Sequence, residues 1–176
     1  AVLDDPIRKI DRSVHGSEMK KIVVVGSGGA GKSTFSRKLG RALGVEVIHL
    51  DAIYWKPNWV KTPDKEWQKI VEKLIRGESW ILDGNFGGTR LIRMEAGDTV
   101  IFLDTPRIIC IYRVLKRLVQ QYGKSRPDMA DGCTERFDLD FLRWVWNYPK
   151  DSRLRLLREI ETLKGKSIVK LRSRKE

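Results

Sequence analysis

Short apolar runs alternate with longer amphipathic stretches along most of the chain. Lys21–Val25 is a compact β-branched run of the kind that forms a strand buried on both faces. Val45–Leu50, Trp80–Asp83, Thr99–Asp104 and Ser167–Leu171 predict four further strands. Between them, Lys32–Leu43 predicts a helix closed by Gly44. Thr62-Pro63-Asp64 has the composition of a helix start, with threonine as N-cap and proline at the first helical position. The helix that follows gathers Trp67, Ile70, Val71, Leu74 and Ile75 on one face before Gly77 ends it. Thr105-Pro106 opens a long helix to about Tyr122, a polar stretch follows at Gly123–Arg136, and two more helices are expected around Leu139–Asn147 and Ser152–Lys164. This alternation predicts an α/β fold with a parallel sheet between helical layers.

One connection carries chemistry. Gly26-Ser27-Gly28-Gly29-Ala30-Gly31-Lys32-Ser33-Thr34 satisfies G-x-x-x-x-G-K-[ST], the Walker A phosphate loop, and it falls between a predicted strand and a predicted helix. Glycines let the backbone curl so that successive N–H groups point at phosphate oxygens, and the helix directs its positive end at the same place. Gly26, Gly28, Gly29, Ala30 and Gly31 are therefore candidate nucleotide-binding residues. Lys32 is placed to reach the β- and γ-phosphates, Ser33 to bind Mg²⁺, and Thr34 to hydrogen-bond the α-phosphate.

Three aspartates, Asp51, Asp83 and Asp104, stand at the C-terminal ends of predicted strands, the edge where open parallel sheets bind ligands. Asp83 is the candidate Mg²⁺ carboxylate, Asp51 a candidate for orienting or deprotonating an acceptor hydroxyl, and Asp104 is expected to be structural. Arg113 and Arg117, four apart on one helix, share a face and are candidates for neutralising a transferring phosphoryl group. Arg126 and Arg136 bracket the polar stretch, and Arg90, Arg153 and Arg155 are further candidate substrate or lid arginines. Tyr54, Trp55 and Trp59 sit in a proline-containing loop and either stack on a flat acceptor or anchor the loop. Trp67 and Trp80 are expected in the core, His49 as a satisfied strand histidine, and Trp144 in helix packing.

At 176 residues, with 41% apolar and 33% charged positions, the chain suits one compact domain. The apolar runs are far shorter than a bilayer span requires. Cys110 and Cys133 stand alone, without C-x-x-C spacing, which suits a reducing cytosol and a cytoplasmic location. The net charge of +12 implies an anionic partner, and phosphorylated small molecules, nucleic acid and acidic lipid all satisfy it. Residues 1–18 carry three basic and four acidic residues with little apolar periodicity, and are expected to be a non-native or disordered extension. The domain is then 19–176.

The loop form G-x-x-G-x-G-K-[ST] and Leu82-Asp83-Gly84 resemble adenylate kinase and its nucleoside monophosphate kinase relatives. LDAIYWKPNW (50–59), DGNFGGTR (83–90), FLDTPR (102–107) and RPDMADGCTER (126–136) resemble more closely the DNA topology modulation proteins, bacterial P-loop proteins related to adenylate kinase. The resemblance spans Met19–Arg172. It implies a three-layer P-loop NTPase fold of nucleoside monophosphate kinase type, with a five-stranded parallel sheet and an arginine-bearing helical lid at about 113–150. The chain departs from adenylate kinase in having no arginine between Asp51 and Lys61, which argues against AMP as acceptor. Asp51 followed by aromatics is closer to nucleoside kinases of the uridine kinase type.

No N-K-x-D guanine-reading motif is present, so ATP is the expected nucleotide. The leading expectation is an ATP- and Mg²⁺-dependent phosphotransferase acting on a small nucleoside- or nucleotide-like acceptor. The rival, from another class, is an ATP-binding regulatory protein affecting DNA topology, although no helix-turn-helix or other readout motif is recognisable. An ATPase with water as acceptor is a third.

Overall fold

The computed structural model describes residues 19–124 and 128–172; Arg126 and the expected extension at 1–18 lie outside them. β1 (Lys21–Gly26) is the spine of the molecule, with Ile22, Val23, Val24 and Val25 all fully buried. Its alternating side chains feed two separate apolar layers. Val23 and Val25 join Trp67, Val71, Trp80 and Leu82, whereas Ile22 and Val24 join Leu39, Ile81, Ile101 and Val145. A strand covered on both faces needs helices on both sides, and the chain supplies them.

The main sheet also contains β2 (Val47–His49), β5 (Trp80–Asp83), β6 (Thr99–Leu103) and β7 (Ser167–Leu171). All pairings are parallel and the order is β2-β5-β1-β6-β7, the five-stranded parallel sheet expected from the sequence. Register sets Val24 beside Asp83 and His49 beside Asp83, so the strand ends converge on one edge. Crossing back between strands are α1 (Lys32–Leu43), α2 (Leu50–Tyr54), α3 (Asp64–Leu74), α4 (Gly87–Ala96), α5 (Arg107–Gln121), α6 (Leu139–Asn147) and α7 (Ser152–Thr162). None of the described helices is long and apolar enough to cross a membrane.

The structure departs from the sequence expectation at three places. α2 starts at Leu50, which puts Asp51 on a short helix and not on a strand end. Thr62 does not cap α3. Its hydroxyl and its amide both donate to the carbonyl of Tyr54, 2.5 and 3.0 Å, closing an insertion in which β3 (Trp55–Lys56) and β4 (Val60–Lys61) pair antiparallel. The third departure is α4, a helix the apolar pattern does not announce, because it opens on two glycines and buries two arginines, Arg90 and Arg93.

Arg90 ties α4 to α7 through a bidentate pair with Glu159, at 2.6 and 2.8 Å. Arg90 is almost fully buried, so removing Glu159 strands a charge away from water. Breaking such a pair costs about 3–5 kcal/mol when both partners are buried. Glu159 is about a quarter exposed, so Glu159→Ala is expected to lose about 2 kcal/mol, a melting temperature drop of roughly 4–8 °C. Thermal unfolding reads this directly, and an unchanged Tm refutes it.

Candidate active site

The phosphate loop connects β1 to α1 with glycine where only glycine fits. Gly29 has φ +75°, and a Cβ there would stand 2.4 Å from the carbonyl oxygen of Cys110. Gly31, the N-cap of α1, has φ +97°, and the first turn of α1 carries neither a side-chain cap nor an acidic residue. The helix start is therefore left for an anion. Lys32 Nζ donates to the carbonyl of Ser27, 3.0 Å away, and Arg113 Nη1 donates to the carbonyls of Ala30 and Gly29, at 3.1 and 3.4 Å.

This loop opens onto a cavity of about 870 Å³. Gly28, Gly29, Gly31, Lys32, Ser33 and Thr34 form one wall, while Gly26 and Ala30 are buried in the base of the loop. The same cavity takes in Asp51, Trp55 and Trp59 from the insertion after β2, and Arg113 and Arg117 from α5. A roof comes from residues 128–136. Asn58 N–H donates to Gly132 O at 3.3 Å, Trp59 Nε1 donates to Thr134 O at 3.0 Å, and the Arg136 guanidinium lies 5.6 Å over the Trp59 ring. Arg117 pairs with Glu135 of that roof at 2.8 Å.

Other sequence candidates go elsewhere. Arg90 is taken by Glu159, and Arg153 makes a bidentate pair with Asp104 at 2.7 and 2.9 Å. Burial alone pushes the Asp104 carboxyl up, but hydrogen bonds from Arg153 and Lys170 outweigh it and hold the group below the usual carboxylate range. Arg155 is exposed and does not line the cavity. Tyr54 stands behind the wall, edge-on to Trp55 at 5.0 Å and to Trp67 at 5.1 Å, so it braces the aromatic face and does not form it. Arg90 and Arg153 are held away from the cavity by carboxylates 69 and 49 residues away in sequence. Trp144 moves the other way. It stacks on Phe141 at 5.8 Å, and both line the cavity.

Asp83 is buried at the end of β5 and does not line the cavity. Its Oδ2 accepts from His49 Nδ1 at 2.7 Å, and its Oδ1 is buried without a hydrogen-bond partner. A buried carboxylate oxygen left unpaired is costly and calls for a cation or donor.

Two supporting residues escaped the sequence reading. Asn85 clamps the base of the phosphate loop with its whole amide, Oδ1 accepting from Gly26 N–H at 3.2 Å and Nδ2 donating to Gly26 O at 2.6 Å. Arg93, fully buried, donates to Gly84 O, Asn85 O and Phe86 O at 2.9, 2.5 and 3.3 Å. Burial first, and the neighbouring Arg90 second, depress Arg93 to about 9, against the opposing pull of the Glu159 and Asp83 carboxylates, so it stays cationic at neutral pH. Phe86, with φ +31°, is held in its left-handed conformation by these bonds and lines the cavity.

No family model and no curated relative matches the sequence. Solved structures do. A provisionally assigned kinase from Chloroflexus aurantiacus superposes with a TM-score of 0.54 at 17% identity, covering 89% of this chain and 89% of its own. A shikimate kinase from Bacteroides thetaiotaomicron gives a TM-score of 0.51 at 17% identity, covering 79% of this chain and 82% of its own. The fold is that of the small P-loop kinases. At this identity the likeness concerns architecture, and the chemistry has to be argued from the site.

Proposed function

We propose that the chain transfers the γ-phosphoryl group of ATP to a hydroxyl of a small nucleoside- or nucleotide-like acceptor. The observation that carries this is the opening of one cavity onto both the phosphate loop and a carboxylate, Asp51, framed by Trp55, Trp59 and Phe86. A phosphoryl donor and a flat hydroxyl acceptor need those two walls face to face.

The loop fits a nucleotide triphosphate, because its glycine conformations and the uncapped α1 start form a cradle a side chain would fill. The orphaned Asp83 oxygen fits a role in holding Mg²⁺, together with the Ser33 hydroxyl. Held there, Mg²⁺ would supply positive charge to offset that of the phosphates. Lys32 and Arg113 exchange their loop carbonyls for phosphate oxygens and spread the charge of the transferring group. Asp51 takes the proton of the attacking hydroxyl as the new P–O bond forms and the bond to ADP breaks. Trp55 and Trp59 stack on the acceptor, and the roof over Trp59 excludes water.

The test is coupled ADP release with Mg·ATP against nucleosides, nucleoside monophosphates and phosphorylated sugars. One acceptor should stimulate turnover, and Trp59→Ala should raise its KM about tenfold, as loss of a stacking face implies. Turnover equal with every acceptor and with water defeats the proposal. A second reading, a nucleotide-switched regulator acting on DNA, is favoured by the +12 charge and by the resemblance to DNA topology modulation proteins. It requires the ATP-loaded protein to prefer one duplex over random DNA by about a hundredfold, since any chain this basic binds DNA non-specifically.

A further inference from the structure

Helix α5 has two faces. One buries Cys110 and Val114 and delivers Arg113 and Arg117 to the cavity. The opposite face carries Ile108, Tyr112, Leu115, Val119 and, at the helix end, Tyr122, which are 70, 62, 41, 83 and 68% exposed. These positions advance by four, three, four and three residues, the repeat that keeps a seam facing a second helix of the same period. Ile109, 41% exposed, widens the seam at its start.

We propose that this seam pairs with the same seam of a second copy of the chain, giving a two-fold dimer through α5. Three observations favour that occupant. A 3.5-residue period asks for a helix with a matching period, and an isologous pair supplies one by symmetry. The exposed parts of these six side chains amount to roughly 700 Å² per protomer, close to the ~800 Å² per partner that stable complexes bury and above the largest apolar patches tolerated on a typical monomer. The third is charge. Despite the net +12, of the positions flanking the seam, Ile109, Ile111, Lys116 and Leu118, only Lys116 is ionisable, so a two-fold pair sets at most that one cation against its own copy.

Sedimentation equilibrium of the full chain tests this. The wild type should run at twice the 20.4 kDa chain mass. Val119→Glu and Tyr112→Glu should each run as folded monomers, because both side chains are solvent-facing and their circular dichroism should be unchanged. Ile168→Glu, an exposed apolar position on β7 outside the seam, should remain dimeric. A wild-type monomer at about 100 µM, above the micromolar range of interfaces this size, overturns the proposal. So does a dimer that survives both seam variants. A monomer that pellets with phosphatidylserine vesicles, and ceases to in Val119→Glu, also overturns it by assigning the seam to a lipid surface.

Discussion

Lys32→Ala is expected to lower phosphoryl transfer by about 10²–10³-fold, the loss seen when one charge-stabilising donor is taken from a preorganised site. Lys32 stands at the first position of α1, its ammonium held over the loop by the Ser27 carbonyl. That bond holds the cation against the loop, and among the described residues no carboxylate pairs with it. Its removal takes charge from the transferring group but leaves the glycine conformations and the backbone N–H groups of the loop in place. ATP affinity should therefore fall by less than the rate does, and Tm should hold, since the side chain is only partly buried. Single-turnover rates and nucleotide titration separate the two effects. Transfer that stays within a few-fold of wild type would mean the chemistry does not happen at this loop.

What the sequence made legible was local. The phosphate loop is a contiguous motif bounded by an apolar run and an amphipathic one, so its place, its helix and its glycine demands follow from neighbouring residues. The five strands followed from five short apolar runs, whereas their order in the sheet, β2-β5-β1-β6-β7, is set by crossovers and is not their order along the chain. What stayed hidden depends on partners remote in sequence. The Asn85 amide closes on Gly26, 59 residues away, and the His49–Asp83 pair exists because β2 lies beside β5 in a particular register. Nothing near Asn85 marks it, and His49, expected as a satisfied strand histidine, finds its partner in Asp83 on the neighbouring strand.

Arginines misled for the same reason. Arg90, Arg93, Arg113 and Arg153 look alike in a basic chain, yet Glu159, three loop carbonyls, the phosphate loop and Asp104 claim them one by one. α4 was missed because two of these charges sit on its buried face, where an amphipathic pattern requires apolar residues. Thr62 failed differently. Its hydroxyl had two partners within reach, the first turn of α3 and the carbonyl of Tyr54, and closing the insertion after β2 won.

Arg93→Met should then be the most damaging single change outside the phosphate loop. The methionine fills the space of the stem but returns nothing to the carbonyls of Gly84, Asn85 and Phe86, which lose the donors that hold them. Leaving a buried polar network half-paired in this way costs about 3–5 kcal/mol. The damage also travels. Asn85 is positioned from behind by Arg93 and grips Gly26 in front, so a slack 84–86 segment loosens the base of the phosphate loop. Denaturant unfolding should show the stability loss, and nucleotide titration of the folded fraction should show weaker ATP binding. Arg93→Lys should not rescue either property, because one ammonium cannot reproduce a planar fork that reaches three separate carbonyls. A variant that loses stability yet binds ATP with wild-type affinity would show that Arg93 only holds the fold, and that the Asn85 clamp sets itself without it.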